Sequence, residues 1–440
     1  MRRIYETSAY QTPQSCWWWS TTSPQALRPL QGPQRTEVAI IGGGFTGMNA
    51  ALALAKAGVQ TCVLDAQHPG WGASGRNGGF CCLGGAKATD ASLTKRFGTD
   101  QCAQWHQAER AAVDHVAGLL ADYKIDADTH SDGETLLAHS PRAMAQIRAT
   151  AKGLGQAYQT DLHVFGQDAL RQLGLNGRFH GGMTLPVGFA LNPAKYHAGV
   201  LAAAQTKGVI VYEQTPATAI TRDGAKWRVS TPSGTVHADK VILATNGYSS
   251  EDLPDWLRAR YLPVQSSIIV TRPLSEQDQA RQGWTSLQMC YDTRILLHYF
   301  RLMPDGRFLF GMRGGLRATP RSETALASKI RAHFHHMFPA WRDVKITHHW
   351  SGLLCLMRSL TPFCGAVPDH PGLYAAMGYH GNGVAMGSYL GACVADHVLG
   401  RVPQGPFPAF LRQPPKRFPL GSLRRALLAP AYAAAAVKDR

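Results

Sequence analysis

The chain has 440 residues, 45% of them hydrophobic and 17% charged, the balance of a globular protein long enough for two interleaved domains and too apolar for disorder. Lys plus Arg exceed Asp plus Glu by 45 to 29, a net charge of +16, yet no dense basic block precedes the C-terminal segment, so nucleic acid is not an expected partner. Nine dispersed cysteines without a C-x-x-C pair argue against a disulfide framework or a zinc site. No run approaches the roughly 18 apolar residues that span a bilayer and no apolar stretch follows Met1-Arg2-Arg3, so a cytoplasmic location is expected.

Residues 1–35 are rich in Ser, Thr, Pro and Gln around Trp17-Trp18-Trp19, which predicts an arm packed on the body or on a partner subunit, because three adjacent indoles do not stay in water. Val38-Ala39-Ile40-Ile41 then reads as a buried strand, Gly42-x-Gly44-x-x-Gly47 as a turn opening an alanine-rich helix at Phe45 and Thr46, and Thr61-Cys62-Val63-Leu64-Asp65 as a second strand ending in an acid. That is a dinucleotide-binding βαβ unit. Gly42 makes the tight turn, Gly44 admits a pyrophosphate to the backbone, and Gly47 lets helix and strand pack closely. The helix N-terminus faces the phosphates with free N–H groups and the positive end of its dipole.

A second glycine-dense loop follows at 70–79, then helical patterns at 100–122 and 141–154 with the strand Glu134-Thr135-Leu136-Leu137 between them. Asn192-Pro193 is an N-cap with proline at the first helical position. Lys226-Trp227-Arg228-Val229-Ser230 and Thr235-Val236-His237-Ala238 alternate about Ser233-Gly234 as a hairpin. The apolar strand at 240–244 ends in Thr245-Asn246-Gly247, at a ligand face. From 260 to 345 aromatic and β-branched strands predict a mixed or antiparallel sheet, including His298-Tyr299-Phe300-Arg301-Leu302 and, after the turn Pro304-Asp305-Gly306, Phe308-Leu309-Phe310-Gly311. A third glycine turn at 378–383 precedes a helix from 384 to 399.

Four distant segments thus point at one ligand. On Gly42-x-Gly44-x-x-Gly47 with Asp65, Gly72-Ala73-Ser74-Gly75-Arg76-Asn77-Gly78-Gly79, Trp350-x-Gly352 with Pro362-x-x-Gly365, and Gly378-Tyr379-x-Gly381-x-Gly383, the chain resembles the D-amino-acid oxidase-like family of FAD-dependent amine oxidoreductases over residues 36–400. Within it the resemblance is to the γ-glutamylputrescine oxidase-like branch. The implied architecture is α/β: a Rossmann-like FAD-binding domain (36–90, 191–255 and 346–400) interleaved with a mixed or antiparallel β-sheet substrate-binding domain (91–190 and 256–345), flanked by the arm 1–35 and a basic tail 401–440. Residues 42–47, with Phe45 and Thr46, would hold the FAD pyrophosphate, and Asp65 the adenosine ribose. Ser74, Arg76 and Asn77 would lie along the flavin and ribityl chain, with Gly78 and Gly79 beneath the ring and Thr245 at the strand end. Gly378, His380, Gly381, Asn382, Gly383 and Val384 would face the pyrimidine edge.

The implied reaction is hydride removal from an amine-bearing carbon to flavin N5, giving an imine that water hydrolyses; the protein orients the amine and shields the ring. Tyr299, Arg301 and Arg358 are the substrate-site candidates, an arginine fork suiting a carboxylate. Non-covalent FAD is expected, since Arg76-Asn77 stand where covalent relatives carry histidine and Cys355 is offset from their cysteine. Leu309 replaces a lysine tied to oxygen use, which leaves O2 and a quinone or other carrier both open as acceptor. Arg412, Lys416, Arg417, Arg424 and Arg425 precede the mostly apolar segment 426–437, which suits either peripheral contact with anionic lipid or docking on the same chain. A tRNA-modifying oxidoreductase is a further alternative, against which stands the lack of a recognisable RNA-binding motif.

Overall fold

In the computed structural model, described for residues 1–12, 15–23 and 25–439, the chain builds two eight-stranded sheets. The first runs Phe363–Ala366, Leu373–Met377, Gly234–Leu243, Gly32–Ile41, Thr61–Leu64, Ile210–Tyr212, and carries Lys226–Ser230 and Ala219–Asp223 on Gly234–Leu243. Its central pairs are parallel, so both faces must be covered and the strands read as unbroken apolar runs. Alternation divides them. Val38, Ile40, Val63 and Ile242 pack into the core shared with the helices Phe45–Lys56, Thr99–Asp122, Pro193–Thr206 and Ala385–Val398. Ala39, Ile41, Leu64 and Leu243 pack on the opposite face with Trp227 and Val229 of the hairpin.

The second sheet runs Ile346–Met357, Tyr261–Pro273, Arg307–Arg313, His298–Leu302, Met289–Asp292, Glu134–Leu137, Gly181–Leu185, His163–Gly166. It is mixed, antiparallel except for the pair Met289–Asp292 with Glu134–Leu137. Side-chain parity decides what each face does. Phe300, Phe308 and Phe310 turn toward the helix Pro320–Met337 and form a buried aromatic core with Phe179, Trp284, Phe334, Phe338 and Trp341. Tyr299 and Leu309 turn the other way, toward the first sheet and the tryptophans of the arm.

Two features depart from the sequence reading, and the tail takes one of its two expected forms, docked on the same chain. The first strand starts at Gly32, where it pairs with Gly234, and not at Val38. Segment 346–357, expected with the FAD-binding part, is the edge strand of the second sheet and pairs with Tyr261–Pro273 in an antiparallel register from Tyr261↔Met357 to Thr271↔Ile346. The tail is folded back on the body: Arg424 is fully buried against Glu251, Arg425 pairs with Glu6 at 2.8 Å, and the helix Leu428–Lys438 seats Leu428 and Ala435. Of the five cations that precede segment 426–437, Arg424 and Arg425 are therefore committed within the chain, while Arg412, Lys416 and Arg417 remain exposed. Among the described residues no helix is long and apolar enough to cross a membrane. The arm forms two short 3-10 turns, Thr7–Tyr10 and Trp17–Ser20, and buries Trp18, whose Nε1 donates to Asn77 O at 2.8 Å.

Candidate functional site

One large cleft lies between the sheets, and segments far apart in sequence line it together: Gly42, Gly44, Phe45 and Thr46; Asp65; Ser74, Arg76, Asn77 and Gly78; Thr245; and Gly381, Asn382, Gly383 and Val384. The glycine turn is built as its sequence requires. Gly42 has φ +102° and a Cβ there would lie 2.9 Å from Ala244 O. A Cβ on Gly47 would lie 1.9 Å from Gly42 O, so Gly47 serves packing, as expected, and does not itself line the cleft. Helix Phe45–Lys56 has a glycine N-cap with no side chain to satisfy its first amides. The second loop supplies it: Ser74 Oγ accepts from Phe45 N at 2.8 Å. Asp65 braces the turn, accepting from Gly43 N at 2.8 Å and Gln67 N at 2.9 Å. Burial raises its carboxyl above the ordinary range, those two donors opposing the shift.

The 72–79 loop folds around its own side chains. Asn77 Nδ2 donates to Ser74 O at 2.8 Å and Oδ1 accepts from Gly79 N at 2.7 Å. Gly79 has φ +71°, and a Cβ there would meet Leu191 O at 2.0 Å, so it shapes the loop from behind the cleft wall. Arg76 is 4% exposed, with its guanidinium 4.0 Å from the Trp71 ring centroid and further flanked by Trp19 and Tyr248. Nε donates to Trp71 O at 2.9 Å, but Nη2 has no partner among the described residues. A buried guanidinium nitrogen without an acceptor is costly, and one on a cleft wall marks where a polar ligand belongs.

At the third turn the side chains divide. Gly381, Asn382, Gly383 and Val384 reach the cleft, whereas Gly378 donates its N–H to Asn246 Oδ1 and, like His380, lies outside the lining. His380 has φ +50° and is fully buried. Its ring bridges Gly85 O at 2.7 Å and Met357 N at 3.1 Å. Accepting from Met357 N leaves the other nitrogen to donate to Gly85 O, so His380 is a neutral strut, its pKa lowered to about 4 chiefly by burial.

The substrate-site candidates separate as well. Tyr299 lines the cleft, its ring against Gly78 and its hydroxyl 3.0 Å from Ser266 Oγ; burial pushes that hydroxyl up to about 12, so it stays protonated. Arg301 shares Tyr299's face but lies outside the cleft lining. It is 1% exposed between the Trp18 and Phe80 rings, donating to Leu191 O at 2.7 Å and to the neutral His130 Nε2 at 3.3 Å. It clamps the loop behind Gly79, and although its buried Nε has no partner among the described residues, the side chain does not reach the cleft. Arg358 is exposed past the end of Ile346–Met357 and donates to Arg417 O at 2.8 Å, away from the cleft.

Sequence reasoning did not single out four further polar residues of the cleft wall. Lys87, Glu134, Tyr291 and Arg313 line the cleft beside Tyr299 and Asn382. Arg313 Nη2 donates to His380 O at 3.3 Å. The Arg313 charge, followed by desolvation, lowers the Lys87 ammonium to about 7. Burial raises Glu134, hydrogen-bonded to Tyr291, to about 8.

The family model described as FAD dependent oxidoreductase matches residues 37–397. The chain belongs to this family. It is 31% identical over 432 residues to the probable oxidoreductase OrdL of Rhizobium meliloti, covering 96% of this chain and 97% of that one. It is 29% identical over 405 residues to the gamma-glutamylputrescine oxidoreductase of Escherichia coli, covering 92% and 93%. The fold is that of a glycine oxidase structure from Geobacillus kaustophilus, with TM-score 0.69 and 19% identity, covering 84% of this chain and 96% of that one.

FAD is the cofactor of this FAD dependent oxidoreductase, and the cleft fits it. The Cβ-free turn at Gly42 and Gly44 and the helix dipole would hold the pyrophosphate, Asp65 the ribose, and Arg76 Nη2, Gly78 and the turn Gly381–Gly383 the flavin end. Bound there, FAD supplies the redox chemistry. The protein's own share is to enclose the cleft, in which Tyr299 and Arg313 are among the lining side chains. All nine cysteines are unpaired and buried. Cys355 lines the cleft, but burial pushes its thiol up to about 12, a poor nucleophile at neutral pH. Acid precipitation of the purified protein is therefore expected to release all of its FAD into the supernatant, as read by absorbance; yellow colour left in the pellet would show a covalent link.

Proposed function

We propose that the enzyme oxidises the C–N bond of an amine that also bears a carboxylate, with γ-glutamylated ω-amines as the leading class. The observation that carries this reading is the pair of cations, Lys87 and Arg313, on the cleft wall beside Tyr299. The one acid lining this end, Glu134, is raised to about 8 and is mostly neutral at pH 7. Such an end attracts a carboxylate and repels a free diamine, which carries only positive charge. Tyr299, a protonated phenol, can donate to the substrate or orient it. The likeness to the gamma-glutamylputrescine oxidoreductase of Escherichia coli supports the same class.

A second reading, a D-amino-acid or secondary-amine dehydrogenase, draws on the same cations, since an α-amino acid also carries a carboxylate. Leu309, packed with Trp18, Ile268, Val270 and Trp350, puts an apolar side chain where oxygen-using relatives carry lysine, which favours a quinone or other carrier for that reading. Anaerobic mixing of the holoenzyme with γ-glutamylputrescine, putrescine, glycine, sarcosine and D-alanine, followed by O2 or a soluble quinone, tests both. The expected result is fastest bleaching by γ-glutamylputrescine and little by putrescine. Equal reduction by putrescine would overturn the carboxylate requirement, and faster reduction by sarcosine or D-alanine would select the second reading.

A further inference from the structure

We propose that the N-terminal arm completes the FAD site: Arg3 supplies the positive charge that pairs with the cofactor's pyrophosphate, and the arm straps the cofactor in place. Arg3 lines the same cleft as Gly42 and Gly44. A chain of short contacts leads from the backbone of the preceding residue, Arg2, to that half. Arg2 N donates to Asp252 Oδ1 at 2.7 Å, and Arg2 O accepts from Glu251 N at 2.7 Å and Ser250 Oγ at 3.1 Å. The adjacent Ser249 Oγ lies 2.6 Å from Thr245 Oγ1, and Thr245 N is 3.3 Å from where a Gly42 Cβ would stand. The arm thus sits on the loop that closes over the glycine turn.

The charges lining the cleft point the same way. Its basic side chains among the described residues are Arg3, Arg76, Lys87 and Arg313, and the ammonium of Met1, which also lines it, is paired with Asp252 at 3.6 Å. Arg76 is caged by aromatic rings at the flavin loop, and Lys87 and Arg313 stand beside Tyr299 and Asn382. Arg3 is the basic side chain left for the phosphate half. A helix N-terminus offers roughly half a positive charge, which does not match a pyrophosphate dianion. Arg3 also has no carboxylate in ion-pairing distance among the described residues. Its guanidinium rests 4.1 Å from the Tyr10 ring centroid, and its one side-chain hydrogen bond is a weak one to Met1 Sδ at 3.8 Å. Held against an aromatic ring and not by a carboxylate, its N–H groups remain available for phosphate oxygens.

The arm is anchored from its far side, independently of any ligand. Glu6 Oε1 and Oε2 accept from Arg425 at 2.8 and 3.0 Å, and Glu6 Oε2 also accepts from Ala318 N at 3.0 Å. Arg425 Nη1 donates to Ile4 O at 3.1 Å. The C-terminal segment therefore latches the arm across the cofactor cleft, and FAD leaves when the latch opens.

The test is ligand binding, read by flavin fluorescence on protein stripped of FAD and by the rate of FAD release from the holoenzyme. Arg3→Met is expected to weaken FAD by about ten- to a hundredfold, the loss of a charge-assisted hydrogen bond to phosphate, while leaving riboflavin, which has no phosphate, within about twofold of wild type. Arg3→Lys should recover most of the FAD affinity. Glu6→Gln, which keeps Arg3 but cuts the latch, is expected to speed FAD release several-fold. Unchanged FAD affinity in Arg3→Met would overturn the proposal. So would a parallel loss of FAD and riboflavin affinity, because packing of the arm and not phosphate pairing would then be at stake.

Discussion

Arg424→Met is expected to destabilise the folded protein by about 3–5 kcal/mol, the cost of leaving a buried partner charge unpaired. Arg424 and Glu251 are 0% and 2% exposed. Arg424 makes a two-pronged contact with the Glu251 carboxylate, donates from Nε to Tyr261 O at 2.6 Å, and donates from Nη1 to Gly421 O at 2.8 Å. Glu251 Oε1 also accepts from Ala259 N at 3.3 Å. Removing the arginine strands the carboxylate and two carbonyls away from water, which is costlier than the pair itself is worth. Arg424→Met/Glu251→Leu should therefore recover a large part of the loss. The consequence extends to the cleft, because the tail continues through helix Leu428–Lys438 to Asp439, which accepts from Ile295 N at 2.7 Å and Leu296 N at 3.1 Å beside the cleft-lining Leu297. Denaturant unfolding of the single and double variants, with limited proteolysis of the tail, reads both effects. A single variant within 1 kcal/mol of wild type would show that water reaches this pair, as about 0–1 kcal/mol is typical of exposed bridges.

The cofactor half of the cleft was legible in the sequence because its constraints are local. Gly42 and Gly47 answer to a neighbouring strand end and to a residue five back, and a missing Cβ can be read from one position, although Gly44 answers to Ser74 of the second loop. The half proposed to hold the substrate was not, because Lys87, Glu134, Tyr291 and Arg313 come from four separate segments whose meeting is purely tertiary. Arg301 shows how far parity alone carries. It shares Tyr299's face, as strand alternation requires, but two residues along a strand are nearly 7 Å, enough to carry it past the cleft to Leu191 O. A usable signal was present in the hairpin. Centring the turn on Asp305 pairs Tyr299 with Gly311, the register observed, and puts Arg313 on Tyr299's face as its diagonal neighbour. His380 was misplaced for a different reason: its positive φ turns the ring inward beneath Met357, a conformation that its position beside Gly381 does not disclose.

Arg313→Met is expected to lower kcat/KM for a carboxylate-bearing amine by about ten- to a hundredfold, chiefly through KM, and to leave a monoamine that lacks a carboxylate nearly unaffected. It should also change the pH dependence in a defined sense. In the wild type, Lys87 is lowered to about 7, most of all by Arg313, and Glu134 is raised to about 8 by burial. Below pH 7 this end presents charged Lys87 and Arg313 with neutral Glu134. Above pH 8 Lys87 is neutral and Glu134 anionic, so a substrate carboxylate meets less attraction and a new repulsion. KM should therefore rise between pH 7 and 8, as one limb belonging to the Lys87–Glu134 pair and not to either residue alone. The reacting amine must lose its own proton, which favours the alkaline side, so kcat/KM is expected to be bell-shaped. Removing Arg313 relieves the largest pressure on Lys87, whose ammonium then persists to higher pH, and the KM limb moves alkaline even as binding weakens. Glu134→Gln removes the repulsion and should flatten the limb above pH 8. Steady-state KM measured across pH 6–9 for wild type, Arg313→Met and Glu134→Gln distinguishes this account from simple loss of packing, which would raise KM by the same factor at every pH.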